Sequence, residues 1–133
     1  MTTLAKGYLV LTGLIFILYG GYCLINPLAL TDATGMSLSD NTALIEVRAM
    51  YGGLQLSMGL FLFYSGLKTS TAGNGLLVLI FIYGGLAIAR AIGLIIDGGD
   101  NGYNFMVTIF EGVNTLFGLF LLLKIQSINA GND

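Results

Sequence analysis

Four long apolar stretches occupy most of this 133-residue chain and limit what it can fold into. They lie at about 7–28, 43–67, 76–96 and 103–123. The hydrocarbon core of a bilayer is about 30 Å thick, so a helix needs roughly 20 mostly apolar residues to cross it. Each stretch is long enough for one crossing. The sequence therefore predicts an all-α integral membrane protein, with four spans in a single domain over residues 1–133.

The composition supports this class and excludes several functions. Hydrophobic residues make up 56% of the chain and charged residues 9%, whereas a soluble domain carries about 25% charged residues. Mean hydropathy is +0.87. Five basic residues are too few to hold nucleic acid. Because the chain has no histidine and one cysteine, Cys23, within an apolar stretch, we expect no histidine catalysis, no metal site, no cofactor and no intrachain disulfide.

Short polar linkers join the stretches and predict antiparallel neighbours, which together form an up-down four-helix bundle. Asp40 or Thr42 is a suitable N-cap for the second helix. The Asn26-Pro27 pair is expected to end the first helix, because proline disfavours a helical conformation in the residue before it. The first stretch is longer than a signal-peptide core and no A-x-A site follows it, so we expect it to be retained.

The three lysines set the expected orientation. Lys6, Lys68 and Lys124 all fall at one end of such a bundle, here called the lysine end. The opposite end carries Arg48 and Arg90 and is called the arginine end. The positive-inside rule places the lysine end, with both termini, in the cytoplasm. The expected location is therefore the cell (inner) membrane, with the lipid bilayer as the first partner.

Four ionisable residues lie within the predicted spans, namely Glu46, Arg48, Arg90 and Glu111. A charge at the bilayer centre costs about 2.5–3.5 kcal/mol, so we expect all four to face the bundle interior and to pair. Intramembrane charges are also candidates for a functional site. The candidate ligand-binding cluster is Glu46, Arg48, Tyr51, Gln55, Arg90 and Glu111, supported by Tyr83, Asp97, Thr108 and Asn114.

Two stripes of small residues suggest how the second and third helices meet, since small residues let helices approach closely in lipid. The stripes are Ala49, Gly53 and Ser57 on the second helix and Gly85, Ala89 and Gly93 on the third. If these stripes face each other, Glu46 pairs with Arg90 and Arg48 pairs with Glu111. The swapped pairing, with Arg90 as the partner of Glu111, stays open. Tyr-Gly-Gly also recurs every 32 residues, as a shared packing device or by chance.

The second stretch opens with Glu46-Val-Arg48-Ala-Met-Tyr51-Gly52-Gly53-Leu, and Arg90, Asp97-Gly98 and Glu111 follow in the later stretches. This pattern resembles a bacterial family of small four-span membrane proteins catalogued as domain of unknown function 4345. The resemblance covers nearly the whole chain and implies the four-span fold. It implies no activity. Gln55 departs from the family pattern, in which an apolar residue is expected.

Three function classes remain open. In the first, a pocket opening at the arginine end of a binding or accessory protein receives a small anionic or amphiphilic molecule, because arginines suit carboxylate and phosphate groups. A transporter of a small solute or ion, as a monomer or a dimer, is the alternative, although few polar groups lie below Gln55 and Thr115. A membrane enzyme with Glu111 as acid/base is less supported, because no nucleophile–base pair is visible.

A structural ion-pair network that fixes helix register would account for the same charges. A homodimer or a larger membrane complex also stays open. The charges therefore mark a site without naming what occupies it.

Overall fold

A computed structural model describes residues 2–98 and 102–130, and within these ranges the regular structure is helical, with no β-strand. The all-α prediction is confirmed. A π-helical segment interrupts the second predicted span, and a short 3₁₀ turn precedes the third. The elements are α1 (Thr3–Ile25), α2 (Ala29–Thr34), α3 (Asn41–Val47), the π segment (Arg48–Leu54), α4 (Gln55–Leu67), the 3₁₀ turn (Thr69–Thr71), α5 (Ala72–Ile96) and α6 (Tyr103–Ala130).

Three helices in the described part of the chain are long and apolar enough to cross a membrane: Thr3–Ile25, Thr69–Ile96 and Tyr103–Ile128. The predicted second span is not one uniform α-helix, because the π segment divides it. The backbone nevertheless stays in the right-handed helical region at both junctions, with φ −61° and ψ −39° at Arg48 and φ −64° and ψ −42° at Gln55. We call residues 41–67 the second helical segment.

Two predicted helix boundaries are confirmed by their hydrogen bonds. The Asp40 side chain accepts a hydrogen bond from the Ala43 amide at 2.9 Å, so Asp40 rather than Thr42 is the N-cap. Helix α1 ends at Ile25, directly before Asn26 and Pro27, and the Asn26 amide donates to the Tyr22 carbonyl at 2.8 Å. The capping carboxylate and the proline therefore act as the sequence indicates.

The helices associate as two antiparallel hairpins. In the first hairpin α1 packs along the π segment and α4, and in the second α5 packs along α6. The hairpins also contact each other between α4 and α5. The hydroxyl of Tyr8 on α1 adds a polar link, because it donates to the Asn114 backbone carbonyl on α6 at 3.0 Å. The alternating helix directions agree with an up-down arrangement.

Glycines bring the two members of the first hairpin into backbone contact. A Cβ added at Gly13 would lie 2.6 Å from the Phe63 amide nitrogen, and one added at Gly59 would lie 2.7 Å from that of Ile17. A Cβ at Gly20 would lie 2.9 Å from the Gly52 carbonyl oxygen. Gly20 and Gly52 belong to two of the three Tyr-Gly-Gly copies, so in this pair the repeat is a packing device.

The predicted contact between the two small-residue stripes is wrong. A Cβ added at Gly85 meets nothing within 4 Å, and one at Gly53 meets only its own helix, at the Arg48 carbonyl 3.8 Å away. Ala49 and Ala89 are exposed. The glycines of the second helical segment that do pack lie on another face, at seven-residue spacing, and they contact α1 rather than α5.

The larger buried hydrophobic cluster lies toward the lysine end, and a smaller one of Cys23, Leu30 and Val47 lies toward the arginine end. The larger cluster includes five leucines with no exposed surface, Leu9, Leu62, Leu76, Leu79 and Leu121. Leucines from all the long helices contribute to the larger cluster, so this half of the bundle has a packed core. Toward the arginine end the hairpins leave open space between them, and the charged residues of the spans lie there.

Candidate functional site

A bidentate ion pair joins α5 and α6 at the arginine end. Arg90 Nη2 lies 3.0 Å from Glu111 Oε1, and Arg90 Nε donates to Glu111 Oε2 at 3.2 Å. Arg90 Nη1 donates to Asn104 Oδ1 at 3.0 Å. The Glu111 side chain is 5% exposed and the Arg90 side chain 27%. Such two-point pairing is the strongest geometry available to a carboxylate and a guanidinium.

Aromatic rings line the protein side of this ion pair. Tyr83 is buried and lies near Glu111. Its ring makes edge-to-face contacts with Phe16 and Phe110, with centroids 5.9 Å and 6.0 Å apart. Glu111 itself is almost completely buried, and attraction between charges is stronger where water is excluded. The ion pair therefore lies in a largely buried position, with Arg90 as its more exposed member.

The expected pairing of Arg48 with Glu111 is wrong, and the alternative partner of Glu111, Arg90, is the one observed. Arg48 instead donates to the backbone carbonyls of Leu24 and, at 3.4 Å, Ile25. These are among the last carbonyls of α1, which have no partner within their own helix. A guanidinium that reaches them also interacts favourably with the negative end of the helix dipole. Arg48 therefore caps α1.

Glu46 also differs from the expectation that every span charge faces inward. Glu46 and Arg48 are both exposed, and Glu46 forms no ion pair with any residue in the described ranges. Both lie within the first turns of the second helical segment, where the cost of a charge is lower than at the bilayer centre. Burial and pairing are therefore confined to Arg90 and Glu111.

Replacing Arg48 by alanine is expected to loosen the end of α1. The loss of charged hydrogen bonds at an exposed position should lower the free energy of unfolding by about 1 kcal/mol, and amide exchange in the last turn of α1 should become faster. Hydrogen–deuterium exchange with peptide mass spectrometry measures this. Lys6→Ala, which removes an exposed basic residue at the other end of α1, is the control. Unchanged exchange near Leu24 would contradict a capping role.

A cavity of about 520 Å³ lies between the second helical segment and α5, and we call it the apolar cavity. Two predicted site residues, Tyr51 and Gln55, are part of its wall. Most of the remaining wall is aliphatic, aromatic or thioether. The lining residues are Phe16, Met50, Tyr51, Leu54, Gln55, Met58, Ile82, Gly85 and Leu86.

A second, smaller cavity of about 190 Å³ lies at the C-terminal end of α5, and we call it the polar cavity. Its lining brings together two predicted site residues, Arg90 and Asp97, with Asn104 of α6. The lining residues are Arg90, Gly93, Leu94, Asp97, Gly98 and Asn104. It contains both a guanidinium and a carboxylate.

The two cavities follow each other along α5. Leu86 lines the apolar cavity and Arg90, one turn further on, lines the polar cavity. Residues four apart lie on the same face of a helix, about 6 Å apart along its axis. Tyr51 lines the apolar cavity and lies near Arg90. An elongated molecule can therefore reach from the aliphatic wall to the charged groups.

The remaining predicted residues are engaged in hydrogen bonds within the bundle. Thr108 donates to the Asn104 backbone carbonyl at 2.8 Å. The Asn114 amide group donates to the Phe110 carbonyl at 2.8 Å, and its side-chain oxygen accepts from Tyr8 at 3.1 Å. Both residues therefore stabilise α6 or its contact with α1, and neither lines the cavities.

The sequence prediction of the site omitted Asn104, Met50 and Met58. Asn104 lies seven residues before Glu111, so the sequence places it on the same polar face of the fourth helix, although not in the predicted ligand-binding cluster. The two methionines carry no comparable signal, because an apolar residue in a membrane span is expected to face lipid. No group of three acidic or cysteine side chains within residues 2–98 and 102–130 is placed to hold a metal ion.

A family model described as Domain of unknown function (DUF4345) matches residues 4–123. No curated protein and no solved structure matches the chain. The matched range runs from the first turn of α1 into α6, and it includes both arginines and both span glutamates.

Proposed function

The chain belongs to the family described as Domain of unknown function (DUF4345), and because that description names no activity, we propose from the geometry that this membrane protein binds an amphiphilic molecule at its arginine end. The observation that carries the proposal is the apolar cavity of about 520 Å³ leading to a charged cavity on the same helix face. Ligand pockets in proteins commonly have volumes of about 300–1,000 Å³, with mostly apolar walls and a few placed polar groups.

The distribution of polarity favours an amphiphile over a small polar solute. Tyr51 and Gln55 bring side-chain polar groups to the apolar cavity, and the other side chains that line it are hydrocarbon or thioether. A hydrocarbon tail in this space would contact Met50, Met58 and Leu86. A polar head one turn further along α5 would meet Arg90 and Asp97. One molecule with both parts would fill both cavities.

The proposal includes a membrane topology. We take the second helical segment as a fourth crossing, because 27 helical residues extend about 40 Å at the α-helical rise. Four crossings place both termini on one side, and the three lysines favour the cytoplasmic side of the inner membrane. The cavities would then open toward the outer leaflet, from which a lipid-like molecule could enter between the second helical segment and α5.

The packed leucine core at the lysine end of the bundle favours binding over transport. A transport path would need an opening at the lysine end, and five fully buried leucines occupy the bundle there. One chain lines both cavities, so neither a homodimer nor a larger complex is needed to form them. We therefore propose a binding or accessory role, with transport as the alternative that solute uptake into reconstituted vesicles would reveal.

The substitution Gly85→Leu tests the proposal. A Cβ at Gly85 meets no atom within 4 Å, so a leucine there should enter the apolar cavity without disturbing the packing. We expect labelling of Met50 and Met58 by a photoactivatable dodecanol to fall about tenfold, which corresponds to 1.4 kcal/mol of lost binding. Peptide mass spectrometry locates the label, with the lipid-facing Phe81 as the internal reference.

Gly21→Leu is the matched control. Gly21 also lies toward the arginine end of its helix, a Cβ there meets nothing within 4 Å, and it does not line either cavity. The control should label as the unsubstituted protein does. Labelling of Met50 and Met58 that is no stronger than that of Phe81, or that survives Gly85→Leu, would overturn the binding proposal.

A further inference from the structure

We infer that the head group of the bound molecule carries an ammonium group, which lies in the polar cavity against the carboxylate of Asp97. The inference rests on the proposed amphiphile-binding function and adds the chemistry of the head. It replaces the anionic ligand that the sequence favours. Three features of the polar cavity support it: the state of Arg90, the position of Asp97 and the end of α5.

The positive charge of Arg90 is already balanced. Two of its nitrogens donate to the two Glu111 oxygens, and the third donates to Asn104. The Glu111 carboxylate is almost completely buried and accepts from Arg90 with both of its oxygens, so another anion would have to displace it. A ligand carboxylate or phosphate would have to approach a guanidinium whose net charge is cancelled. Arg90 retains N–H groups for hydrogen bonds, and these suit a neutral oxygen as well.

Among the described residues that line the polar cavity, Asp97 is the charged one besides Arg90. It is exposed, it lines the cavity, and its Oδ2 atom would lie 3.8 Å from a Cβ added at Gly93, so the carboxylate extends back along α5. Asp97 has no ion-pair partner among the residues whose placement is described. Arg90, Glu111 and Asp97 together carry a net charge of −1. An ammonium group would neutralise it.

The end of α5 adds to the negative potential. Gly93, Leu94, Asp97 and Gly98 belong to the last turn of α5 and its C-terminal extension. The last carbonyls of a helix point outward with about half a negative charge, which favours cations. The ammonium group is common to an alkylamine and a phosphoethanolamine.

Four photoactivatable dodecyl probes with different heads test the inference: an amine, a phosphoethanolamine, a carboxylate and an alcohol. The full-length protein in phosphatidylcholine vesicles is labelled with each, and the label at Met50 and Met58 is compared with that at Phe81. We expect half-saturation at about tenfold lower concentration for the two ammonium-bearing probes than for the carboxylate. The relative affinities of amine and phosphoethanolamine show whether the accompanying phosphate contributes.

Asp97→Asn locates the preference. Asp97 is exposed at the end of α5, so the amide should leave the fold intact, reduce the preference for ammonium probes to below about twofold and leave labelling by the alcohol unchanged. Glu46→Gln is the matched control, because it removes an exposed negative charge at the same end but outside both cavity walls. This control should keep the full preference.

The outcomes separate the two proposals. If none of the four probes labels the methionines above the Phe81 reference, the amphiphile-binding function is wrong and this inference fails with it. If all four label equally, or if the carboxylate labels best, the apolar cavity binds amphiphiles but the ammonium inference is overturned. A preference that Glu46→Gln removes as completely as Asp97→Asn would also overturn it, because the cause would then be general surface charge.

Discussion

Gly59→Ala is expected to destabilise the protein by about 3 kcal/mol, the upper part of the range for overpacked interiors. The added methyl group would lie 2.7 Å from the Ile17 amide nitrogen and 2.8 Å from the Gly13 carbonyl oxygen. Both atoms are backbone, so no side chain can rotate away and α1 must shift as a whole. In an exposed helix the same change would stabilise by about 1 kcal/mol, because alanine is the better helix former. The sign of the effect therefore tests the contact.

The measurement is unfolding in mixed micelles followed by far-ultraviolet circular dichroism, because the chain has no tryptophan to report by fluorescence. Gly21→Ala is the matched control on α1, where a Cβ meets nothing within 4 Å. It should leave the unfolding midpoint unchanged or raise it. Equal midpoints for Gly59→Ala and Gly21→Ala would show that α1 and α4 are not in backbone contact.

The close glycine contacts explain which part of the helix packing could be predicted. The general rule that small residues allow close approach in lipid is correct here. The rule does not hold for Gly53 and Gly85, which belong to stripes of small residues at four-residue spacing. The glycines that pack closely instead follow a seven-residue spacing through Gly52 and Gly59. The π segment contributes to this difference, since its wider turns change which residues share a face before and after it. Hydrophobicity does not reveal such a segment.

The helices themselves follow from the sequence more closely than their packing does. The apolar stretches at 7–28, 76–96 and 103–123 correspond to α1, α5 and α6, because twenty apolar residues have few alternatives to a helix in lipid. Helix α6 continues beyond the stretch to Ala130, past Lys124. A hydropathy pattern shows where lipid contact ends, whereas a helix can continue into the polar region. The N-cap at Asp40 and the stop at Pro27 are local signals, and both were predictable.

Prediction of the candidate site was limited in a different way. The physical rule that a buried charge needs a partner identified Arg90 and Glu111 correctly. The choice of partner depends on which helices are neighbours, and spacing along one helix cannot determine it. The role of Arg48 was also hidden, because its partners are backbone carbonyls of α1, which every helix end possesses. Tyr51 and Gln55 were selected as polar residues, and the structure adds the apolar space they border.

The two halves of the bundle therefore differ in what they contribute. The lysine half contains the fully buried leucines and has the packing of a stable core. In the arginine half, Phe16, Met58 and Ile82 connect that core to the wall of the apolar cavity. Arg90 forms part of the wall of the polar cavity, so the ion pair with Glu111 also fixes that part of the wall. The stability of the ion pair is thus linked to the proposed binding.

Arg90→Ala is expected to have a larger effect on stability than Glu111→Ala. Removing Arg90 leaves the Glu111 carboxylate, 5% exposed, without its partner, and breaking a buried pair in this way costs about 3–5 kcal/mol. Removing Glu111 leaves Arg90, which is 27% exposed and retains the Asn104 hydrogen bond, so the guanidinium can turn toward the polar cavity and the cost should be lower. Removing both should cost less than the sum by at least about 1 kcal/mol.

The double-mutant cycle of Arg90 and Glu111 is measured by the same unfolding in mixed micelles, with the cycle of Arg48 and Glu111 as its control. Arg48 binds the end of α1 and has no contact with Glu111, so the control cycle should be additive within about 0.5 kcal/mol. This comparison tests the observed pairing directly against the one that the sequence favoured. Coupling between Arg48 and Glu111 together with additivity between Arg90 and Glu111 would reverse the assignment, and the wall of the polar cavity would then have to be built differently.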